Sequence, residues 1–425
     1  MAAKNEVLNR IYSLSKMGIK LGLDNMEKAM DVLGIDLSKM RLIHVAGTNG
    51  KGSTSAMLHK LICDHSKGSK VALYTSPHLL TYNERIRINS ELISDEQLIE
   101  LASTIFNKCK DIPLTFFEFT TLIGFMHFIR EGVEFAVIET GLGGRLDATN
   151  VILPEICIIT SISEDHMEYL GNSLEDVARE KAGILKKGSY AVISRSTCQD
   201  LIRKEAEHIG AKRIFGLGQE FNYKINDDKS FNVVIEYGAE LGKKEFKGLK
   251  KSLIGDYQFQ NASCAIMAFD LLGIAGTNES ITKALGAVDW RGRLERHNIK
   301  GKTVYLDVSH NPEGIYATVK FLLEYHKNDV IHIACGFMKD KDYATMIKML
   351  HGVADKMFLM PTNVEGRQTS ADDYRSVIDP KWKNVQICKD YREAVEQIMK
   401  EDGVIVFTGS MFNFEHISKL LEGSI

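Results

Sequence analysis

The sequence is poor in the features that mark fibrous, nucleic-acid-coating and membrane proteins. Only six of its 425 residues are proline, so a Pro-rich linker between domains is excluded. No stretch approaches the roughly 20 uninterrupted apolar residues of a membrane-spanning helix. The 53 Lys and Arg residues nearly balance the 56 Asp and Glu residues, giving a net charge of −3. That balance argues against a protein whose main role is to coat nucleic acid or an anionic membrane.

Paired cysteines are also lacking. The seven cysteines occur singly, without a CxxC motif, at Cys63, Cys109, Cys157, Cys198, Cys264, Cys335 and Cys388. An odd number in apolar surroundings is typical of reduced core thiols. The polar N-terminal segment has no apolar run of the signal-peptide kind. We therefore expect a cytoplasmic protein, a monomer that binds neither nucleic acid nor membranes.

The order of predicted elements indicates an α/β fold. Short runs of β-forming residues alternate with helical patterns, beginning with runs at 42–46, 71–74, 135–138 and 156–160. Such alternation predicts a parallel sheet with helices on both faces. Residues 213–251 are richer in Gly, Lys and alternating β-formers and predict antiparallel hairpins on its flank. We predict a P-loop-type parallel-sheet ATPase domain over 1–294, and a smaller Rossmann-like α/β domain over 295–425.

The most distinctive segment, Gly47-Thr-Asn-Gly-Lys-Gly-Ser53, lies between a predicted strand and a predicted helix. Its glycines let backbone N–H groups approach a phosphate chain, while the helix N-terminus and Lys51 add positive charge. The spacing departs from G-x-x-x-x-G-K-[ST], because the first Gly precedes Lys51 by only four residues and another Gly follows it. A plain Gly-rich turn is the alternative, but the strand–loop–helix context favours a nucleotide phosphate.

Further polar residues follow other predicted strands. Ser76, Glu139 and His166 each come shortly after a strand end, and a carboxylate at the carboxyl end of a parallel strand is well placed to hold Mg²⁺. Ser76 offers a hydroxyl for a metal or a phosphate. His166 is as compatible with a structural role as with metal ligation. Lys181 lies late in a predicted helix, where a solvated lysine is the default interpretation.

The C-terminal half repeats this arrangement in Asp307-Val-Ser-His-Asn-Pro312, which follows a strand and precedes a helix. We expect Asp307, His310 and the upstream Arg293 to face the crevice at the carboxyl edge of the sheet. The alternative is a turn in which Asn-Pro simply caps the next helix.

Taken together and in sequence order, these motifs resemble the folylpolyglutamate synthase and dihydrofolate synthase family of the Mur-ligase superfamily. The motifs that carry the resemblance are Gly47-Thr-Asn-Gly-Lys-Gly-Ser53, Ser76-Pro-His-Leu79, Glu139-Thr-Gly-Leu-Gly-Gly-Arg145, Glu180-Lys-Ala-Gly183, Arg291-Gly-Arg293 and Asp307-Val-Ser-His-Asn-Pro312. The family's loop is of the same GTNGKGS type, which accounts for the departure from the usual spacing. Ser309 is a small departure, because the family more often has Ala there.

The resemblance implies an ATP-dependent amide ligase. In that family a carboxylate attacks the γ-phosphate of ATP to give an acyl phosphate and ADP, and the amino group of glutamate then displaces phosphate. Phosphorylation is needed because a carboxylate is a poor acyl donor, and catalysis rests on positioning and charge stabilisation. The acceptor would be a reduced folate and, by the pteroate-matching stretches, also dihydropteroate. A folylpolyglutamate synthase only, which accepts reduced folates but not dihydropteroate, is the nearest alternative.

The resemblance also implies residue roles. Lys51, Lys181 and His310 would be catalytic, with His310 at the terminal phosphate. The nucleotide would be bound by Thr48, Asn49, Gly50, Lys51, Gly52, Ser53, Asn261, Arg293 and Asp307. Mg²⁺ would be held by Ser76, Glu139, His166 and a carbamylated Lys181. Pteroate would be bound by Leu21, Gly22, Leu23, Asp24, Thr115, Phe116, Phe117, Glu118, Leu146, Asp147 and Ala148.

Two other functions fit the sequence less well. A cell-wall Mur ligase is disfavoured because that family carries a further domain ahead of the phosphate loop, and only 46 residues precede Gly47. A non-catalytic nucleotide-binding module would keep the loop but would not need Glu139, His166, Lys181 or Asp307.

Overall fold

A computed structural model describes residues 2–18, 20–238, 242–362, 364 and 366–422. The chain divides into two compact units. The first contains residues 1–252 and 258–288, and the second contains residues 253–257 and 289–425. The boundary at residue 294, taken from the sequence, stays a prediction. Among the described residues, no helix has the length and apolar character required to cross a membrane.

The first unit is built on an eight-stranded sheet in the order β4-β3-β2-β5-β1-β6-β7-β8. Its strands are β1 (Arg41–Ala46), β2 (Val71–Tyr74), β3 (Ile86–Ile88), β4 (Glu91–Leu92), β5 (Phe135–Glu139), β6 (Ile156–Ile159), β7 (Tyr190–Ile193) and β8 (Arg213–Gly216). All neighbours from β2 to β8 are parallel, and the short β3 and β4 form an antiparallel edge. Strands that are buried throughout and apolar up to their last residue, such as β5, are typical of a sheet covered on both faces. The predicted α/β class is confirmed.

Ten helices accompany this sheet in the described part of the first unit. They are α1 (Ala2–Ser13), α2 (Asp24–Leu33), α3 (Lys51–His65), α4 (Asp95–Lys108), α5 (Phe116–Glu131), α6 (Met167–Leu170), α7 (Leu174–Ala182), α8 (Gln199–Ile209), α9 (Tyr257–Leu271) and α10 (Asn278–Gly286). One core cluster joins Tyr74 to the aromatic side chains of α5, and a second joins Ile159 and Ile193 to the apolar face of α7. These clusters fix the helices against the strand ends that carry the site.

The structure confirms only part of the antiparallel hairpin region predicted for residues 213–251. A three-stranded antiparallel sheet forms from β9 (Phe221–Ile225), β10 (Phe231–Glu236) and β11 (Lys243–Leu249), as expected. Arg213–Gly216, however, pairs in parallel with β7 and belongs to the large sheet. The short run Arg213-Ile-Phe-Gly216 has no clear period, so it does not distinguish an edge strand of a parallel sheet from a hairpin strand.

The second unit contains a six-stranded sheet in the order β12-β13-β17-β14-β15-β16. Its strands are β12 (Glu295–Ile299), β13 (Lys302–Leu306), β14 (Ile331–Cys335), β15 (Lys356–Leu359), β16 (Val385–Ile387) and β17 (Val404–Thr408), and its helices are α11 (Pro312–Tyr325), α12 (Tyr343–His351), α13 (Ala371–Val377), α14 (Tyr391–Ile398) and α15 (Phe414–Glu422). The strands from β13 to β16 are parallel, and β12 is an antiparallel edge. β12 begins directly after the domain boundary that the sequence predicts at residue 294.

Candidate active site

The phosphate loop follows the strand at which the connections of the large sheet change direction. β1 lies between β5 and β6, so the chain leaves β1 towards one edge of the sheet and later crosses to the other. Ligands of open α/β sheets bind outside the carboxyl ends of strands at such a point. The loop therefore has β5, ending at Glu139, on one side and β6, ending at Ile159, on the other.

Two glycines of the loop are required by backbone conformation and by space. Gly47 has φ +151, and a Cβ there would lie 1.8 Å from Thr160 Oγ1. Gly50 has φ +89, and its Cβ would lie 2.4 Å from Asn261 Oδ1. Positive φ of this kind favours glycine. Because glycine has no Cβ, the loop backbone can lie close to Thr160 and Asn261. The N-terminus of α3 directly follows the loop, so the described geometry fits a phosphate chain.

Two lysines converge on this loop. Lys51 Nζ donates to the carbonyl oxygens of Gly47 at 2.9 Å and Thr48 at 3.1 Å, and Lys181 Nζ donates to the same Gly47 oxygen at 2.9 Å. Lys181 is buried. Burial, reinforced by the charge of Lys51, lowers the pKa of Lys181 to about 7. The two amines at the Gly47 carbonyl oxygen concentrate positive charge at the loop, and a bound anion would reduce the repulsion between them.

Residues that follow β6 hold the other side of the loop through two backbone carbonyls and one hydroxyl. The Thr48 amide donates to Ser161 O at 2.7 Å, and the Thr48 hydroxyl donates to Ser163 O at 3.0 Å. Thr160 Oγ1 donates to Asn49 O at 2.7 Å. These contacts fix the loop backbone, and a run of hydroxyl residues after a strand end was the signal available in the sequence.

Asn261 is connected to the loop helix through a residue that the sequence motifs did not identify. Asn261 Nδ2 donates to Gln258 Oε1 at 2.9 Å, and Gln258 Nε2 donates to Ser53 Oγ at 3.3 Å. Gln258 is fully buried on α9, three residues before Asn261. Residues three apart lie on one helix face, so this spacing was a readable signal.

The predicted metal ligands are partly brought together. Glu139 is buried at the end of β5, and its Oε2 accepts the Ser76 backbone N–H at 3.2 Å. His166 is the N-cap residue just before α6, with φ +52, and its Nε2 lies 3.8 Å from Asp165 Oδ1. Within the described ranges, no group of three or more His, Cys, Asp and Glu side chains could hold a metal ion. The ligand set of Ser76, Glu139, His166 and Lys181 therefore stays a prediction.

Several residues predicted to bind pteroate have structural partners. Asp147 is buried, and its two oxygens accept the N–H groups of Gly141, Leu142 and Thr149 at 2.8 to 3.0 Å and the Thr149 hydroxyl at 2.5 Å. Burial raises the pKa of Asp147. Leu146 and Ala148 flank it, and Ala148 begins a short 3₁₀ turn. Asp147 thus shapes the glycine loop after Glu139.

The other pteroate-matching stretches lie at helix starts. Thr115 and Glu118 form a capping box at the start of α5, in which Glu118 Oε2 accepts the Thr115 N–H at 2.6 Å. Leu21 is exposed, and Gly22 and Leu23 lead into α2, which begins at Asp24.

Aromatic side chains cluster beside the Ser76-Pro77 segment. The Phe116 ring stacks on Tyr12 with centroids 5.6 Å apart, and the Arg85 guanidinium lies 5.2 Å from the Phe116 centroid. Arg85 Nε donates to His78 Nδ1 at 2.7 Å. On the neighbouring side, the Phe117 ring lies so close to Gly141 that a Cβ there would be 2.5 Å from Phe117 Cζ. A planar heterocycle suits such a surface.

In the second unit, Asp307 organises the loop after β13. It is buried, and its carboxylate accepts the N–H groups of Leu294 at 3.2 Å and Ser309 at 3.2 Å, together with the hydroxyls of Thr318 at 3.0 Å and Thr408 at 3.3 Å. The carboxylate thus ties the segment that carries Arg293 to the segment that carries His310.

Asn311 and Pro312, close to Asp307 in the same loop, cap the next helix as the alternative interpretation of the sequence expected. Asn311 Oδ1 accepts the Gly314 N–H at 2.9 Å and caps α11, with Pro312 in its first turn. His310 Nδ1 lies 3.0 Å from Val308 O, and Arg293 Nη1 donates to Gly292 O at 3.2 Å. The nucleotide-binding roles of Arg293, Asp307 and His310 stay predictions.

Two family models match the chain. The Mur ligase middle domain matches residues 45–269, and the Mur ligase glutamate ligase domain matches residues 292–411. The dihydrofolate synthase/folylpolyglutamate synthase of Bacillus subtilis is 31% identical over 97% of each chain. The enzyme of the same name from Escherichia coli is 27% identical over 98% of this chain and 94% of its own length.

Solved structures agree with the fold. The structure of E. coli FolC in complex with DHPP and ADP superposes with a TM-score of 0.88 at 26% identity and covers 98% of each chain. A bifunctional folylpolyglutamate synthase/dihydrofolate synthase with Mn, AMPPNP and L-glutamate bound superposes with a TM-score of 0.86 at 27% identity, again over 98% of each chain. The chain therefore belongs to the folylpolyglutamate synthase/dihydrofolate synthase group of the Mur ligase family, and it is an ATP-dependent glutamate ligase.

Proposed function

We propose that this chain adds L-glutamate both to dihydropteroate and to tetrahydrofolates, through an acyl phosphate formed with ATP. The observation that carries the proposal is the convergence of Lys51 and Lys181 on Gly47 O, near the end of the strand that carries the buried Glu139. Two amines at a phosphate loop, with a buried carboxylate at the end of the neighbouring strand, suit phosphoryl transfer to an acid, in which charge builds on phosphoryl oxygens. A plain nucleotide-binding module has no need of the buried Lys181.

Each side chain then has a task. Lys51 and the N–H groups from Thr48 to Ser53 bind the phosphates, and Asn261, Arg293 and Asp307 bind the rest of the nucleotide, with His310 at the terminal phosphate. Ser76, Glu139, His166 and a carbamylated Lys181 would hold Mg²⁺, which supplies charge neutralisation between phosphate oxygens. The oxygen-rich donor set fits that hard cation.

In this proposal, the pteroate group of the acceptor lies against the aromatic side chains of Phe116 and Phe117. Phe116 and Phe117 provide flat apolar surfaces, and the stretches 21–24, 115–118 and 146–148 surround the pteroate. Asp147 acts by holding the N–H groups of Gly141 and Leu142 in place, because all its described partners are internal. A cytoplasmic location and a monomeric state belong to the same proposal.

A substrate panel tests this function. The purified chain is assayed for ADP release with ATP, Mg²⁺ and L-glutamate, with dihydropteroate or tetrahydrofolate as acceptor. We expect turnover with each acceptor and none when the acceptor or glutamate is omitted. Turnover with tetrahydrofolate alone would identify a folylpolyglutamate synthase only. ADP release that needs neither acceptor would contradict the ligase function.

A further inference from the structure

A cavity of about 750 Å³ lies in the first unit on the outer side of α6, α7 and α8. Its wall includes Arg145, Tyr169, Arg179, Glu180, Glu205 and Ile209. Small-molecule sites in proteins commonly have volumes of roughly 300 to 1,000 Å³, so this cavity has a suitable size. None of the residues to which the catalytic proposal gives a role lines it.

Side chains of both charge signs line the cavity. Arg179 is well exposed, and its two ion pairs, with Asp176 at 3.9 Å and Glu205 at 3.8 Å, are longer than hydrogen bonds. Its guanidinium can therefore bind a carboxylate in the bidentate manner without losing a short internal bond. Arg145, by contrast, is bound to Glu180 through both Nε and Nη2.

The rest of the wall is apolar and includes side chains that are unusually exposed for their type. Tyr169 is 38% exposed and Ile209 is 42% exposed, while Leu170 and Leu185 are buried behind them. Covering such apolar surface contributes about 25 cal/mol per Å² removed from water. The wall thus combines an available guanidinium, two flanking carboxylates and an apolar floor.

We propose that this cavity binds a zwitterionic amino acid or short peptide with an apolar side chain. The α-carboxylate binds the Arg179 guanidinium, the α-ammonium binds Asp176 or Glu205, and the side chain covers Tyr169 and Ile209. An anion without an ammonium group would pair with Arg179 but leave the carboxylates of Asp176 and Glu205 unpaired beside it, and a cation alone would pair with a carboxylate but lie beside the Arg179 guanidinium. Only a ligand with both charges satisfies the wall.

The site is separate from the ligase reaction but lies on the same helix. α7 presents Arg179 and Glu180 to the cavity and turns Lys181 inward to Gly47 O. The Glu180 carbonyl also accepts the Arg145 N–H at 2.7 Å. The proposal does not rest on the substrates of the ligase, and a binding measurement can test it without turnover.

Three matched probes test the charge requirement on the full chain. L-phenylalanine, 3-phenylpropanoate and phenethylamine share one ring and differ only in charge, and their binding is measured by calorimetric titration at pH 7. We expect saturable binding of L-phenylalanine with a Kd of about 1 mM or tighter, and binding about tenfold weaker for each single-charge analogue. Equal affinity for L-phenylalanine and 3-phenylpropanoate, or no saturation by L-phenylalanine, would overturn the proposal.

Variants locate the binding. Arg179→Met should weaken L-phenylalanine binding about tenfold, whereas Lys204→Met should not change it, since Lys204 is an exposed α8 cation outside the cavity wall. Ile209→Ser, at a side chain that is exposed in the cavity wall, should weaken binding by removing apolar surface. Melting curves of the three variants check folding. Unchanged affinity in both Arg179→Met and Ile209→Ser would place the ligand elsewhere and refute the site.

Discussion

Lys181 shows how one buried residue links folding to chemistry. Its amine has a described partner in Gly47 O, which Lys51 shares. Burial first, and the charge of Lys51 second, lower its pKa to about 7 from the ordinary 10.5. A substantial fraction of these amines is then uncharged near neutral pH, and only an uncharged amine can attack CO₂. A carbamate at this position would place a negative charge next to Lys51 and remove the repulsion between the two lysines.

We expect turnover to depend on CO₂ and to rise as the pH increases through about 7, because the reactive neutral form of Lys181 increases in that direction. In CO₂-free buffer the rate should fall by about 100-fold and recover with bicarbonate. A ¹³C carbamate resonance should appear with labelled bicarbonate and be absent in Lys181→Arg.

Lys186→Arg is the matched control for this experiment. Burial also lowers the pKa of Lys186, but its Nζ donates to Asn150 O at 3.2 Å rather than to the phosphate loop. This variant should keep the carbamate resonance. An unchanged rate without CO₂, together with no resonance in the parent enzyme, would contradict carbamylation.

At the scale of elements, the phosphate loop depends on a close approach between its turn and α9. Gly50→Ala introduces a Cβ 2.4 Å from Asn261 Oδ1 at φ +89, whereas Gly68→Ala introduces one at φ +87 with nothing within 4 Å. Gly68→Ala should destabilise folding by about 1 to 2 kcal/mol, because a left-handed backbone disfavours Ala, and Gly50→Ala should cost more because of its contact with Asn261.

Only Gly50→Ala should also lose nucleotide binding, because the loop or Asn261 must shift to relieve the contact. Titration with ADP and urea unfolding of both variants separate the two effects. Equal ADP affinity in both variants would mean that the approach of Gly50 to Asn261 is not needed.

The elements also show which parts of the fold can be predicted from sequence. β1, β5 and β14 are mostly apolar and almost completely buried, so their existence and parallel pairing followed from the pattern. β12 was missed because Glu-Arg-His-Asn-Ile has a single buried apolar residue and gains its stability by pairing with β13 at an edge. Pairing of this kind depends on a partner strand rather than on local sequence.

The candidate site was also predictable only in part, because strand ends can be recognised in the sequence but contacts with distant segments cannot. Motif positions at strand ends identified Glu139 and Asp307, but not their partners. That Asp307 accepts bonds from Thr318 and Thr408 depends on how α11 and β17 meet it. The spacing of Gln258 and Asn261 and the hydroxyl run after β6 are visible in the sequence, but their contacts with the loop depend on how α9 and β6 lie beside it. Contacts between distant segments are set by tertiary packing.

At the scale of the whole molecule, nearly all the cysteine thiols of both units are buried in the cores. All seven cysteines are free, six are buried and Cys63 is partly buried. Burial raises the pKa of Cys157 to about 11, and of Cys63, Cys264 and Cys388 to about 12. It also raises the pKa of Cys109 and Cys335. Because the thiolate is the reactive form, these thiols are protected by access and by protonation together.

We therefore expect the native protein to react with fewer than about one equivalent of a thiol-specific disulfide reagent within minutes at pH 8, and with seven equivalents after denaturation. The native reaction should proceed at the rate of opening of the folded units, since the reagent reaches a buried thiol only through an open state. Cys63→Ser should remove any fast fraction, because Cys63 alone among the seven is only partly buried. Cys335→Ser, a buried control in the second unit, should leave that fraction unchanged. Several equivalents reacting at once in the native protein would show that the cores do not protect the thiols and that the packing described for the two units does not hold in solution.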